Sequence, residues 1–110
     1  FYTAAYPALI MATIISDALA VSPLHLEADL VERDAGAWSG LTRSAIDEHF
    51  PGYLANGTRP EGYEPDDVVL DRTLRAVDRI IDRFTPVRDP ATVVVITHGG
   101  VMPNWNFATY

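Results

Sequence analysis

Apolar positions change their spacing along this chain, and each change predicts an element. Phe1-Tyr2-Thr3 reads as a short strand end, and Pro7 then fits the first turn of a helix over residues 7–20. Leu9, Ala12, Ile15 and Leu19 recur there at helical spacing, with Ile10, Met11 and Ile14 widening the apolar face. So broad a face predicts a largely buried helix. Over residues 21–40 the pattern turns irregular, punctuated by Pro23, Gly36 and Gly40 and anchored by Leu24, Leu26 and Leu30, which predicts extended segments and loop. Thr42 suits the cap of a short helix through His49 or Phe50, which Pro51-Gly52 ends, and a polar loop follows to Glu64.

The strongest helical signal begins at Pro65, with Asp66 and Asp67 in the first turn, where the helix dipole favours anions. Val69, Leu70, Leu74, Val77, Ile80, Ile81 and Phe84 form one face. Arg72, Arg75, Asp78, Arg79, Asp82 and Arg83 fall mostly around the other, as pairs of opposite charge at i,i+3 and i,i+4. Pro86 and Pro90 break the chain before residues 92–96, Thr92-Val93-Val94-Val95-Ile96, a β-branched run of the kind buried on both faces of a sheet. A helix feeding such a strand is the signature of an α/β fold with a parallel sheet.

Composition narrows the class. With 110 residues the chain is long enough for one core and short for two, which predicts a single soluble domain. The absence of cysteine excludes disulfides and Cys-based metal sites. A net charge of -7 with no basic cluster argues against nucleic acid or an anionic membrane as partner. The longest apolar stretch, residues 8–20, is broken by Ser16 and Asp17 and is too short to span a bilayer. All eight basic residues are Arg, so a bound phosphate or carboxylate would meet a guanidinium fork.

Two places suit chemistry. Thr97-His98-Gly99-Gly100 sets an imidazole and two glycines just past the carboxyl end of the predicted strand, where open α/β sheets bind ligands. There His98 either donates to a phosphoryl or acyl oxygen or merely caps a carbonyl. Glu32-Arg33-Asp34 lies in a glycine-flanked loop beside Trp38; Glu32 is either a proton donor or part of an exposed charge cluster. His25 and His49 have no motif context and read as surface or structural residues.

Three stretches carry a resemblance. Leu30-Val31-Glu32 with Gly36-Ala37-Trp38-Ser39-Gly40-Leu41-Thr42 matches an L-x-E-x-x-x-G-x-W-x-G-L-T pattern. Pro60-Glu61-Gly62-Tyr63-Glu64, followed by Val68 and Arg72, is similar to a P-x-G-E segment and its helix, with Tyr63 as an extra residue. Val94-Val95-Ile96-Thr97-His98-Gly99-Gly100-Val101 completes the set. In this order, across about residues 2–102, they resemble the histidine phosphatase superfamily, the phosphoglycerate mutase-like proteins.

The resemblance implies a three-layer α/β/α fold with a mostly parallel sheet. It also implies phosphoryl transfer through a phosphohistidine, on a small phosphorylated substrate, with no metal or other cofactor and in a cytoplasmic setting. His98 matches the second histidine, a donor to phosphoryl oxygen, and Glu32 the acid/base carboxylate. Gly99 and Gly100 match backbone positions lining the pocket, and Arg33 a substrate contact of the mutase branch. These roles require His98 and Glu32 in one cleft, within about 10 Å of each other.

The chain also departs from the pattern. The R-H-G triplet that carries the family's nucleophile does not occur, and Pro7 stands where a phosphate-binding Arg is expected. Residues 104–110 look like a final strand, yet the crossover before them is far below the roughly dozen residues a parallel connection needs. The expectation is a single domain incomplete at its start and lacking a segment after Met102.

The primary expectation is therefore a metal-independent phosphomonoester hydrolase whose nucleophilic histidine lies outside these residues. A phosphoglycerate mutase-type transferase and a catalytically degenerate binding module of the same fold are the alternatives. Few positive charges beyond Arg59 in residues 50–64 favour the phosphatase over the mutase. A serine acyl hydrolase, with His98-Gly99-Gly100 as oxyanion loop, would need a G-x-S-x-G elbow, and Ser39 stands one position late for it.

Overall fold

The structure, a computed structural model, describes residues 8–84 and 92–101 together with the backbone of Tyr2 and Thr3. The readings on Pro7, on Pro86 and Pro90, on the Met102–Pro103 junction and on residues 104–110 lie outside the described residues. The chain forms two compact units, one of Phe1–Glu32 with Asp66–Tyr110 and one of Arg33–Pro65.

In the first unit, strands β1 (Tyr2–Thr3), β2 (His25–Leu26) and β3 (Val95–Ile96) form a sheet in the order β2-β1-β3. Both pairings are parallel: Tyr2 lies opposite His25 and Val95, and Thr3 opposite Leu26 and Ile96. The strand expected over residues 92–96 is confined to its last two members, and its side chains are half-buried rather than buried on both faces. Among the described residues β3 pairs on one side alone, with β1.

Helix α1 (Ala8–Leu19) packs against β1 and β3. Its buried residues are Ala8, Ala12 and Ser16, a stripe at i, i+4 and i+8 whose small side chains admit a close approach to the sheet. The expected general burial of this helix is corrected. Ile10, Met11, Ile14 and Leu19 are each more than half exposed, because only the small-residue stripe meets the sheet. The helix ends with the Val21 N–H donating to the Ser16 carbonyl (3.0 Å) and the Ala20 N–H to that of Asp17 (3.2 Å). That pairing needs a left-handed residue after the helix, a place usually given to glycine, and Ala20 fills it at φ 52°.

Helix α4 (Asp66–Phe84) begins with the two expected acidic residues. It buries Val69, Arg72, Thr73, Ala76, Val77 and Ile80, so Arg72 belongs to the apolar face rather than the charged one, whereas Leu74 and Ile81 are exposed. Ala76 and Ile80 meet Leu30 in a core against which Phe84, Val93 and Val95 pack. Leu30 ends a 3-10 turn, Ala28–Leu30, in a region expected to be irregular; three residues carry too little periodicity to be read from sequence. The helix charges are also only partly internal. Asp71 pairs with Arg75, but Arg79 leaves the helix for Glu27 (2.6 Å) and Asp29 (2.5 Å). Those carboxylates, Glu27 foremost, hold the Arg79 guanidinium above its ordinary value.

The second unit folds its two motif stretches together. Helix α2 (Arg43–His49) starts where Thr42 Oγ1 accepts from the Ala45 N–H (3.2 Å), and the short helix α3 (Tyr53–Asn56) sits in the expected loop between left-handed Gly52 and Gly57. A 3-10 turn, Gly36–Trp38, lies against residues 61–64: Ala35 bridges Tyr63, the Ala37 N–H donates to Glu61 O (3.0 Å) and the Glu64 N–H to Asp34 O (2.9 Å). Buried Trp38 makes edge contacts with Tyr63 and Phe50, at centroid distances of 5.7 and 6.3 Å. Gly36 has φ 57°, and a Cβ there would collide with the Glu61 carbonyl and the Gly62–Tyr63 backbone.

Ala20→Gly should therefore relieve left-handed strain and raise the unfolding free energy by about 1 kcal/mol in urea titration. Gly36→Ala, which adds both strain and overlap, should lower it by about 2–4 kcal/mol. An unchanged urea midpoint in either variant would contradict the corresponding backbone assignment.

Candidate functional site

Glu32 is the last residue of the first unit and follows the 3-10 turn at Leu30. The chain leaving that turn exposes successive carbonyls that no strand pairs, and side chains satisfy them. Arg72 Nη1 donates to Asp29 O (2.7 Å) and Val31 O (2.8 Å), while Thr97 Oγ1 donates to Leu30 O (2.6 Å). Three consecutive carbonyls are thus held from two elements, α4 and the end of β3. Arg72 is 7% exposed, and these bonds help to accommodate its charge away from water.

The same Thr97 leads into the second half of the site. After β3 the chain turns through Gly99 and Gly100, closed by the Val101 N–H donating to His98 O (3.1 Å) and anchored by fully buried Val101. His98 Nδ1 lies 3.7 Å from Glu32 Oε2, with the imidazole mostly covered and the carboxylate half exposed. His98 Nε2 is buried and takes no hydrogen bond among the described residues. A buried imidazole nitrogen without a partner carries an unmet desolvation cost.

Gly99 differs from Gly36. A Cβ there would meet open space, and its φ is outside the left-handed region, so the packing does not require glycine at that position. Arg33 belongs to the second unit, where its guanidinium donates to Glu64 O (3.2 Å) and lies 5.3 Å from the Tyr63 ring centroid. Arg59 stacks on the same ring at 5.1 Å and on Trp38 at 5.7 Å. Tyr63, the extra residue in the P-x-G-E-like segment, is thus both the bridge partner of Ala35 and the platform for two guanidinium groups.

Two residues of the site were missed in the sequence. Arg72 stands on the 69–73–76–80 stripe, and an Arg on the apolar side of an amphipathic helix was the available signal. Thr97 gave none, since a threonine ending a strand is ordinary. A separate cavity of about 190 Å³ is lined by His25, Leu26, Glu27, Arg79 and Arg83. Its charged groups are engaged with one another: Arg79 with Glu27, and Arg83 with His25 Nδ1 (3.0 Å). Ser39 is an exposed residue after a 3-10 turn, without the strand-turn-helix that a nucleophile elbow needs. Among the described residues no group of three His, Asp or Glu is placed to hold a metal, and no helix is long and apolar enough to cross a membrane.

Comparison with known proteins places this geometry in context. The solved structure of Bacillus stearothermophilus YhfR superposes with a TM-score of 0.76 at 28% identity, over 94% of this chain and 52% of that one. Mycobacterial hydrolase 1 gives a TM-score of 0.81 at 22% identity with the same coverage, a likeness of fold. Bifunctional protein Rv2228c of Mycobacterium tuberculosis is 40% identical over 75 residues, which are 64% of this chain and 20% of that protein. The Mycobacterium bovis protein Mb2253c, described as uncharacterized, matches to the same extent. The chain therefore spans about half the length of these structures and a fifth of these relatives. The model of the histidine phosphatase superfamily (branch 1) matches residues 8–104, and with this phosphoglycerate mutase-like α/β fold the chain belongs to that superfamily.

Proposed function

We propose that this protein is a metal-independent phosphomonoester hydrolase acting through a phosphohistidine intermediate, with His98 and Glu32 as catalytic residues. The observation that carries the proposal is the Glu32 carboxylate 3.7 Å from His98 Nδ1, beside the 98–101 turn, in a chain of this superfamily. An imidazole nucleophile attacks phosphorus as the bond to the leaving oxygen breaks, and Glu32 supplies the proton that the leaving alkoxide takes up. Water then attacks the phosphohistidine, and the Glu32 carboxylate removes its proton. Throughout, an N–H at His98 Nε2 donates to a non-bridging phosphoryl oxygen, and among the described residues this atom has no other partner. The nucleophile in this scheme comes from an R-H-G segment, which these 110 residues do not include.

Gly99 and Gly100 are proposed to line the phosphoryl pocket with backbone N–H groups; the open space at Gly99 supports this. Arg33 is proposed as a substrate contact, the role that its match to the mutase branch implies. The finer architecture, a three-layer α/β/α domain around a mostly parallel sheet in a cytoplasmic protein, belongs to the same proposal. The parallel β2-β1-β3 pairing supports the sheet.

His98→Ala should lower turnover by about two to three orders of magnitude, the loss typical of a transition-state oxyanion donor. Glu32→Gln should impair hydrolysis of an alkyl phosphate far more than that of an activated aryl phosphate, whose leaving group needs no proton. Equal losses on both would remove Glu32 from the acid role. Dialysis against EDTA should leave turnover unchanged, and restoration by added divalent cation after such dialysis would contradict the metal-free mechanism. Saturable phosphate-ester binding without turnover would favour the degenerate binding module.

A further inference from the structure

We infer that Arg72 is a positioning residue: by holding the carbonyls of Asp29 and Val31 it fixes the carboxylate of Glu32 against His98. The inference rests on the reading of Glu32 as the acid. Glu32 follows Val31 directly, so its backbone starts from a carbonyl that Arg72 holds at 2.8 Å. The bond to Asp29 O, at 2.7 Å from the same nitrogen, brackets Leu30 and prevents rotation about a single contact. Between them Thr97 Oγ1 reaches Leu30 O at 2.6 Å, and Thr97 is covalently next to His98. Both reacting groups are therefore one residue away from the same fastened segment.

The burial of Arg72 makes the arrangement stiff. At 7% exposure, within a helix whose neighbouring positions Val69 and Ala76 are fully buried, its guanidinium has a set location. A buried cation is tolerated where acceptors meet it, and two backbone carbonyls are among them here. Val31 and the Glu32 side chain are each a little under half exposed, so burial alone does not hold the carboxylate in place. Fixing an acid to well under an ångström is what leaving-group protonation requires.

The test compares Arg72→Lys with wild type in the phosphatase-active protein, using an alkyl phosphate and an activated aryl phosphate. Lysine keeps the charge, but its nitrogen ends one bond short of the Nη1 position from which both carbonyls are held, so the two bonds cannot both keep their wild-type lengths. The expected result is a loss of about 10- to 100-fold in kcat on the alkyl ester with KM within about threefold, and less than about threefold loss on the aryl ester. The Arg72→Lys/Glu32→Gln double variant should be no slower than Glu32→Gln alone, since both changes act through one carboxylate. Uniform loss on both esters, or multiplicative loss in the double variant, would overturn the inference while leaving Glu32 as the acid.

Thr97→Val and Thr97→Ser provide the same comparison if Arg72→Lys does not fold. Valine should reproduce the selective loss, and serine should restore kcat to within about twofold. Failure of that selectivity would also overturn the inference. A crystal structure gives a readout that needs no activity. In the folded variant lacking its donor, the Glu32–His98 separation should move by more than about 1 Å from its wild-type value. An unmoved carboxylate would overturn the positioning role, whereas a wild-type protein without phosphatase activity would overturn the functional reading alone.

Discussion

Three successive carbonyls, those of Asp29, Leu30 and Val31, flank a fully buried leucine and are each met by a side-chain donor from elsewhere in the first unit. A buried carbonyl left unpaired costs about 1–3 kcal/mol, and a buried guanidinium without acceptors costs more. Each demand answers the other when Arg72 sits inside the apolar stripe of α4. Ala76 and Ile80, further along that helix, then close over Leu30, and Val93 and Val95 pack against the same cluster. Thr97 fastens the end of β3 to the same segment, so the turn carrying His98 and the residue carrying the carboxylate share one anchor.

The second unit is built on a different constraint, the closeness of two backbones at Gly36. Because no side chain intervenes, the 36–38 turn can hydrogen-bond to residues 61–64, and Trp38 can sit among Tyr63 and Phe50. Stretches separated in sequence, and resembling the family at separate motifs, are thereby one structural object. Tyr63, which interrupts the P-x-G-E pattern, is accommodated as the bridging residue and adds the aromatic face on which Arg33 and Arg59 stack.

Long elements with strong periodicity were legible in the sequence. Pro65 with Asp66 and Asp67 marks the start of α4, and Thr42 marks that of α2, because local chemistry alone sets such boundaries. The burial of α1 is not legible in the sequence, because hydrophobicity reports what a face prefers and the sheet takes only its small residues Ala8, Ala12 and Ser16. Arg72 departs from the charged face for the converse reason: it meets the carbonyls of Asp29 and Val31, and carbonyl acceptors have no sequence signature. The meeting of His98 with Glu32 lay beyond periodicity altogether, and only the ordered motifs pointed to it.

His98 Nε2 is buried and has no hydrogen-bond partner among the described residues, and the proposed function gives it a phosphoryl oxygen. The most direct measurement is the ¹⁵N resonance of His98 Nε2 during titration of the protein with inorganic phosphate. The account predicts a saturable shift of that nitrogen as it gains a hydrogen-bond acceptor, with the resonances of His25 and His49 left in place. A His98 Nε2 resonance that does not respond while phosphate binds would contradict it.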